Sequence, residues 1–216
     1  MTNAFDPITL AIILALMALV PTLVVVTTSF LKISVVMMLV RNALGVQQIP
    51  PNIALYGLSL ILSAYVMAPI GNRIYEGSLQ QPGSLKNVDS LVASVQKGIE
   101  PMRGFLERNS RFEQREFFVR TAKRMWGAEM SEGVAPTDFL VLTPAFLVSE
   151  LTAAFQIGFL LYLPFVVIDL IVSNILLAMG MMMVSPVTIS LPLKLFLFVA
   201  VDGWTRLIHG LVLTYA

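Results

Sequence analysis

The chain contains no cysteine and a single histidine in 216 residues. Without thiols there is no disulfide framework, no thiol nucleophile and no cysteine-based metal or iron–sulfur site. One imidazole beside scattered acids supplies no zinc ligand cluster either. A Ser–His dyad of His209 with Ser149 or Ser173 has no G-x-S-x-G context, and a polar residue near a helix end is the better reading of His209. The sequence also lacks a phosphate-binding glycine loop, because Gly180 has neither a second glycine at the required spacing nor the P-loop lysine. Charge is scarce: 12% of residues are Asp, Glu, Lys or Arg, the net charge is +1, and no long basic stretch marks a nucleic-acid binder. The expectation is therefore no catalytic residue, no cofactor, no metal and no nucleic-acid partner.

What the chain has in abundance is apolar surface. Hydrophobic residues make up 57% and the mean hydropathy is +0.83, well beyond an ordinary globular domain. The few charges are concentrated, with 19 of the 27 lying between residues 73 and 138. This divides the chain into an apolar N-terminal region (1–72), a polar insert (73–138) and an apolar C-terminal region (139–216). In the first region, Ile8 to Val26 and Ile53 to Ile70 are each long enough to cross about 30 Å of hydrocarbon as helix. The last has room for two long helices and shorter pieces, with breaks expected near Pro144, Pro164, Pro186 and Pro192. The fold class is all-α: apolar helical hairpins with broken helices and an amphipathic insert.

Hydropathy alone gives four spans. Lys32 and Arg41 fall in one short connection and Lys194 beside another, so positive-inside reasoning puts both connections in the cytoplasm and the insert and termini outside. Met1 to Asp6 carries an acid and no base, which reads as a retained start and not as a signal peptide.

Within the insert, Leu85, Val88, Leu91, Val92, Val95 and Ile99 repeat at helical spacing and predict an amphipathic helix ending before Pro101. Ser110 and Glu113 form a capping-box pattern for a second helix through Phe117, Phe118 and Met125, closed by Gly127. Its aromatic face reads as a packing surface. Ala11, Ala15 and Ala18 share a face of the first apolar segment, and Ser59 and Ser63 form a small-xxx-small pair that permits close helix approach.

Seven ionisable residues stand in or beside apolar sequence: Lys32, Arg41, Glu150, Asp169, Lys194, Asp202 and Arg206. An unpaired charge there costs several kcal/mol. Structural pairing, within or between subunits, fits three acids and four bases better than a proton or ion relay, which needs carboxylates or histidines along one face. A distinctive local feature is the run Met179-Gly180-Met181-Met182-Met183-Val184-Ser185-Pro186. The glycine and proline favour a turn between two apolar helices. Flexible thioethers there serve either plain core packing or, around an axis, an adaptable pore lining.

The segment Met179 through Pro192, followed by Lys194-Leu195 and Val201-Asp202-Gly203-Trp204, resembles the C-terminal signature of the FliP/SctR family of type III export-gate proteins. Arg41-Asn42-Ala43-Leu44-Gly45 with Pro50-Pro51-Asn52, and Ser149-Glu150-Leu151 with Ala154-Phe155-Gln156-Ile157-Gly158-Phe159, match the same family. Phe30-Leu31-Lys32-Ile33-Ser34, Val46-Gln47-Gln48 and Ser185-Pro186 are closer to the injectisome branch than to the flagellar one, in which a second proline usually stands at the position of Ser185. The resemblance implies a pentameric ring in the bacterial inner membrane, projecting to the periplasmic side. Its implied partners are FliQ/SctS-like and FliR/SctT-like gate subunits, an FlhB/SctU-like switch protein, lipid and unfolded export substrates. It implies that Met181, Met182 and Met183 face the central passage, that the charges lie at buried contacts, and that the four-span topology misleads. The competing expectation is a small-solute or proton-coupled transporter, which would need internal repeats and a polar midplane site.

Overall fold

The computed structural model describes residues 7–46, 48–79 and 88–216. Among these residues the chain forms nine helices and no strand: α1 (Pro7–Thr27), α2 (Phe30–Ala43), α3 (Asn52–Leu79), α4 (Val88–Asn109), α5 (Phe112–Met125), α6 (Gly127–Ser131), α7 (Phe139–Ala178), α8 (Pro186–Ala200) and α9 (Gly203–Leu213). The expected all-α class is what is found.

Packing groups the chain differently from its charge pattern. One compact unit comprises Met1–Leu31 with Ala64–Glu150, the other Lys32–Ser63 with Leu151–Ala216. In the second unit α2 is the central element, with Ile33, Val36, Met37 and Val40 at most 2% exposed. These four recur at the i, i+3, i+4, i+7 spacing of one helix face, yet hydropathy counting treated the segment as a connection carrying Lys32 and Arg41. Against α2 pack Leu55 of α3, Ala154 and Phe165 of α7, and Leu207 and Leu211 of α9. Ser59 is fully buried; its hydroxyl donates to the Leu55 carbonyl at 2.7 Å and approaches the Met37 sulfur at 3.7 Å. Gly158 allows a similar approach of α7, because any Cβ there would collide with the Leu39 side chain.

In the first unit, Phe105 of α4 stacks at a tilt on Phe146 of α7, centroids 5.7 Å apart, beside buried Leu106, Val141, Leu142 and Ala145. The helix of the insert does not stop before Pro101 but continues through it to Asn109. Leu85 and the side chains of Val88, Leu91, Val92 and Val95 lie outside the described residues. The expected capping box is absent: the N-cap of α5 is Arg111, with no side-chain bond, and the Ser110 hydroxyl donates backwards to the Glu107 carbonyl at 3.2 Å. Ser149 takes over, accepting the Arg111 N–H at 2.9 Å while donating to the Ala145 carbonyl at 2.7 Å. Gly127, at φ +78°, does follow the end of α5 as expected. Phe112, Phe117 and Met125 remain exposed and Phe118 is half-buried, so the described residues leave much of this face uncovered.

The prolines behave unlike the sequence expectation. Pro144 and Pro164 lie inside the 40-residue α7, and Pro192 lies inside α8. Only Pro186 marks a boundary, at the first turn of α8, where its missing N–H costs nothing. The breaks fall instead at Gly180 and at Asp202, both with positive φ. In apolar surroundings a proline's unpaired carbonyl is re-satisfied by neighbours and the rest of a long helix persists.

Candidate functional site: a buried charge node and an exposed methionine turn

The node is assembled from three helices of the second unit. Lys194, on α8, is 3% exposed. Its Nζ lies 2.6 Å from Asp169 Oδ2 on α7 and donates to the Ala43 carbonyl, at the C-terminus of α2, at 3.3 Å. That carbonyl is one of the four a helix end leaves without an intrahelical donor, and the negative end of the helix dipole favours a cation there. Asp169 Oδ1 accepts the Ser190 hydroxyl at 2.6 Å. Ser190 precedes Lys194 by one helical turn, so both side chains leave the same face of α8. That i, i+4 spacing was readable in the sequence and identifies a bridging residue that charge counting missed.

Of the remaining charges, Lys32, Arg41 and Asp202 contact identified partners within the chain. Lys32, also buried, donates to the Thr214 hydroxyl at 3.3 Å, and its ammonium sits 3.9 Å from the Tyr215 ring centroid. Arg41 donates to the Pro50 carbonyl and to Asn52 Oδ1, closing the α2–α3 loop. Asp202, in the left-handed conformation, stands at the N-cap of α9 and accepts the Thr205 hydroxyl. Glu150 is 2% exposed in α7. Arg206 is exposed on α9, as is His209. Lys32 and Lys194 are therefore buried helix residues and not loop charges, which removes the basis on which the four-span orientation was derived. Among the described residues no group of three His, Cys, Asp or Glu side chains is arranged to hold a metal.

The methionine turn lies between α7 and α8, as its glycine and proline led us to expect. Gly180, at φ +72°, donates to the Leu177 carbonyl, and Met181 N–H donates to the Leu176 carbonyl. This pair of bonds is a Schellman motif, which needs a residue tolerant of positive φ at the glycine position. The chain then turns again, Val184 N–H reaching the Met181 carbonyl, and α8 opens at Ser185-Pro186. Met181 is half-buried, while Met182 is 82% exposed and Met183 fully so. Two thioethers thus project from a turn whose backbone is anchored at both ends.

Apolar side chains also cover faces that the chain itself leaves open, including Phe155, Phe159, Leu163, Val167 and Leu170 along α7. Both α3 (Asn52–Glu76) and α7 are long and apolar enough to cross a membrane, and the bent pairs within α1 and between α8 and α9 raise that number to four if each is one span. The fold and this surface define an all-helical protein whose apolar helices require lipid or protein neighbours. A FliP family profile matches residues 13–211. The chain is 54% identical to Yop proteins translocation protein R of Yersinia pestis over 97% of both chains. It is 49% identical to harpin secretion protein HrcR of Erwinia amylovora over 99% of both, and 46% identical to virulence protein YscR of Salmonella typhimurium over 98% of both. The chain belongs to the FliP family, on its injectisome side, as the resemblance implied.

Proposed function

We propose that the chain is a structural subunit, without enzymatic activity, of a type III secretion export gate. In this reading copies form a ring in the bacterial inner membrane with FliQ/SctS-like and FliR/SctT-like subunits and an FlhB/SctU-like switch protein. The ring encloses a passage for unfolded substrates and projects toward the periplasm. Met181, Met182 and Met183 form the constriction. The observation that carries the proposal is the exposure of Met182 and Met183 on an anchored turn, in a family whose relatives are named for translocation and secretion. Flexible, unhydrated thioethers repeated around an axis dewet a narrow passage and yield to a moving chain. The length of α7 agrees: 40 residues extend about 60 Å, twice what a bilayer core requires, so part of it lies beyond the hydrocarbon. A transporter relay is disfavoured because Asp169 is already engaged by Lys194 and Ser190.

The test is replacement of Met181, Met182 and Met183 together by alanine in the assembled complex. Ion leakage per recovered gate should rise while assembly persists, since a hydrophobic gate depends on its radius. Full assembly with wild-type impermeability would remove the seal.

A further inference from the structure

Arg206 lies in the first turn of α9, which follows a 60° bend after α8. Among the described residues no carboxylate or carbonyl is bonded to its guanidinium; Asp202, one turn before it, accepts the Thr205 hydroxyl instead. Two apolar hollows open beside it. The larger, about 410 Å³, has Phe165 and Phe198 in its wall, and its size falls within the range of sites that hold small molecules. The smaller, about 230 Å³, has Ile157 and Leu211. Arg206, Leu161 and Leu207 line both. Arg206 is the only charged residue in either wall, and the only other polar side chain is Thr214, in the smaller hollow.

We infer that this is a binding site for one anionic diacyl phospholipid, its phosphate on the Arg206 guanidinium and one acyl chain in each hollow. A single cation in the wall shared by two apolar hollows matches one headgroup carrying two chains, and guanidinium binds phosphate in bidentate fashion. An arginine can lay its aliphatic stem along apolar surface and keep its guanidinium at a polar headgroup, and the walls around Arg206 are apolar. The inference concerns the second unit alone and does not depend on the export-gate reading.

The experiment is native mass spectrometry of the full chain in detergent, titrated separately with dioleoyl phosphatidylglycerol, dioleoyl phosphatidylcholine and lysophosphatidylglycerol. The wild-type chain should prefer phosphatidylglycerol over phosphatidylcholine by about fivefold, the strength of one interfacial base, and should bind the single-chain lipid more weakly. Arg206→Gln should abolish the preference and Arg206→Lys should keep most of it. Leu161→Trp, which leaves the guanidinium in place and fills lining common to both hollows, should weaken binding of the diacyl lipid. Equal affinity for the two diacyl lipids, an undiminished preference in Arg206→Gln, or undiminished binding in Leu161→Trp would each overturn the site. So would loss of self-association in Arg206→Gln with phosphatidylglycerol binding intact, which would assign the guanidinium to a carboxylate of a neighbouring chain.

Discussion

Lys194 Nζ lies 2.6 Å from Asp169 Oδ2, and the two sides of this pair are unequally buried: 4% of the lysine side chain is exposed against 35% of the aspartate. The lysine carries the chain of contacts, since it also holds the C-terminal carbonyl of α2. Its ammonium therefore joins α8, which begins directly after the methionine turn, to the most buried helix of the unit. The aspartate, by contrast, has Ser190 and an open edge.

This asymmetry predicts unequal losses. Asp169→Ala strands a buried ammonium and should destabilise the purified chain by about 3 kcal/mol, the lower end for a broken buried pair. Lys194→Met leaves a carboxylate that is still hydrogen-bonded and should cost about 1 to 2 kcal/mol. Thermal unfolding in detergent ranks them, and a larger loss for Lys194→Met would contradict the assignment. The double replacement Asp169→Leu with Lys194→Met should recover part of the stability lost in Asp169→Ala, because no charge is left without a partner.

Hydropathy, periodicity and the placement of glycine and proline identified the helical class, the apolar segments and the turn at Gly180, because each of these is a local property. It did not identify α2 as a core element, because Lys32 and Arg41 made an apolar helix look like a connection. Lys32 is accommodated by Thr214 and Tyr215, 182 and 183 positions away, and no local window contains them. The prolines misled for a related reason: Pro144 and Pro164 disrupt one hydrogen bond each, but the packing of a long apolar helix outweighs that loss. For the candidate site, the need of Asp169 and Lys194 for partners was legible from their apolar setting, while their pairing with each other depends on the tertiary fold. The role of Ser190 was within reach through its spacing from Lys194.

Gly158 offers a test of how closely α2 and α7 approach. Gly158→Ala places a methyl group against Leu39, and overpacking of this kind costs about 1 to 3 kcal/mol, more than the gain of about 1 kcal/mol in helix propensity. Net destabilisation is the expected outcome. Leu39→Ala in the same chain should reduce the penalty of Gly158→Ala, giving a coupling of at least about 0.5 kcal/mol in a double-mutant cycle. Strict additivity of the two changes would mean that these residues do not touch.

Ser149 and Ser110 separate the cap seen in the structure from the one expected from sequence. Ser149→Ala removes the acceptor of the Arg111 N–H and should cost about 1 to 2 kcal/mol. Amide exchange should accelerate at Arg111 and at the first turn of α5. Ser110→Ala removes only a bond directed back to Glu107 and should leave exchange at that turn nearly unchanged. The opposite ranking would restore Ser110 as the cap.

The methionine turn yields a prediction that can be checked on the isolated chain, before any complex is assembled. Met182 and Met183 are 82% and 101% exposed, so within one chain they have almost no packing to lose. Replacing both by alanine should change stability by no more than about 0.5 kcal/mol, as for exposed positions generally. That corresponds to a shift of about 2 °C or less in the midpoint for a chain of this size. Buried methionines would instead lose about 2 to 5 kcal/mol each, a fall of about 8 °C or more for the pair. Gly180→Val provides the internal contrast, since it forces a β-branched residue to φ +72° and breaks the Schellman turn at a cost of about 1 to 3 kcal/mol. The expected order is therefore an unaltered melting temperature for Met182→Ala with Met183→Ala and a lowered one for Gly180→Val. A large fall for the methionine pair would show these side chains to be core, and the constriction would lose its physical basis.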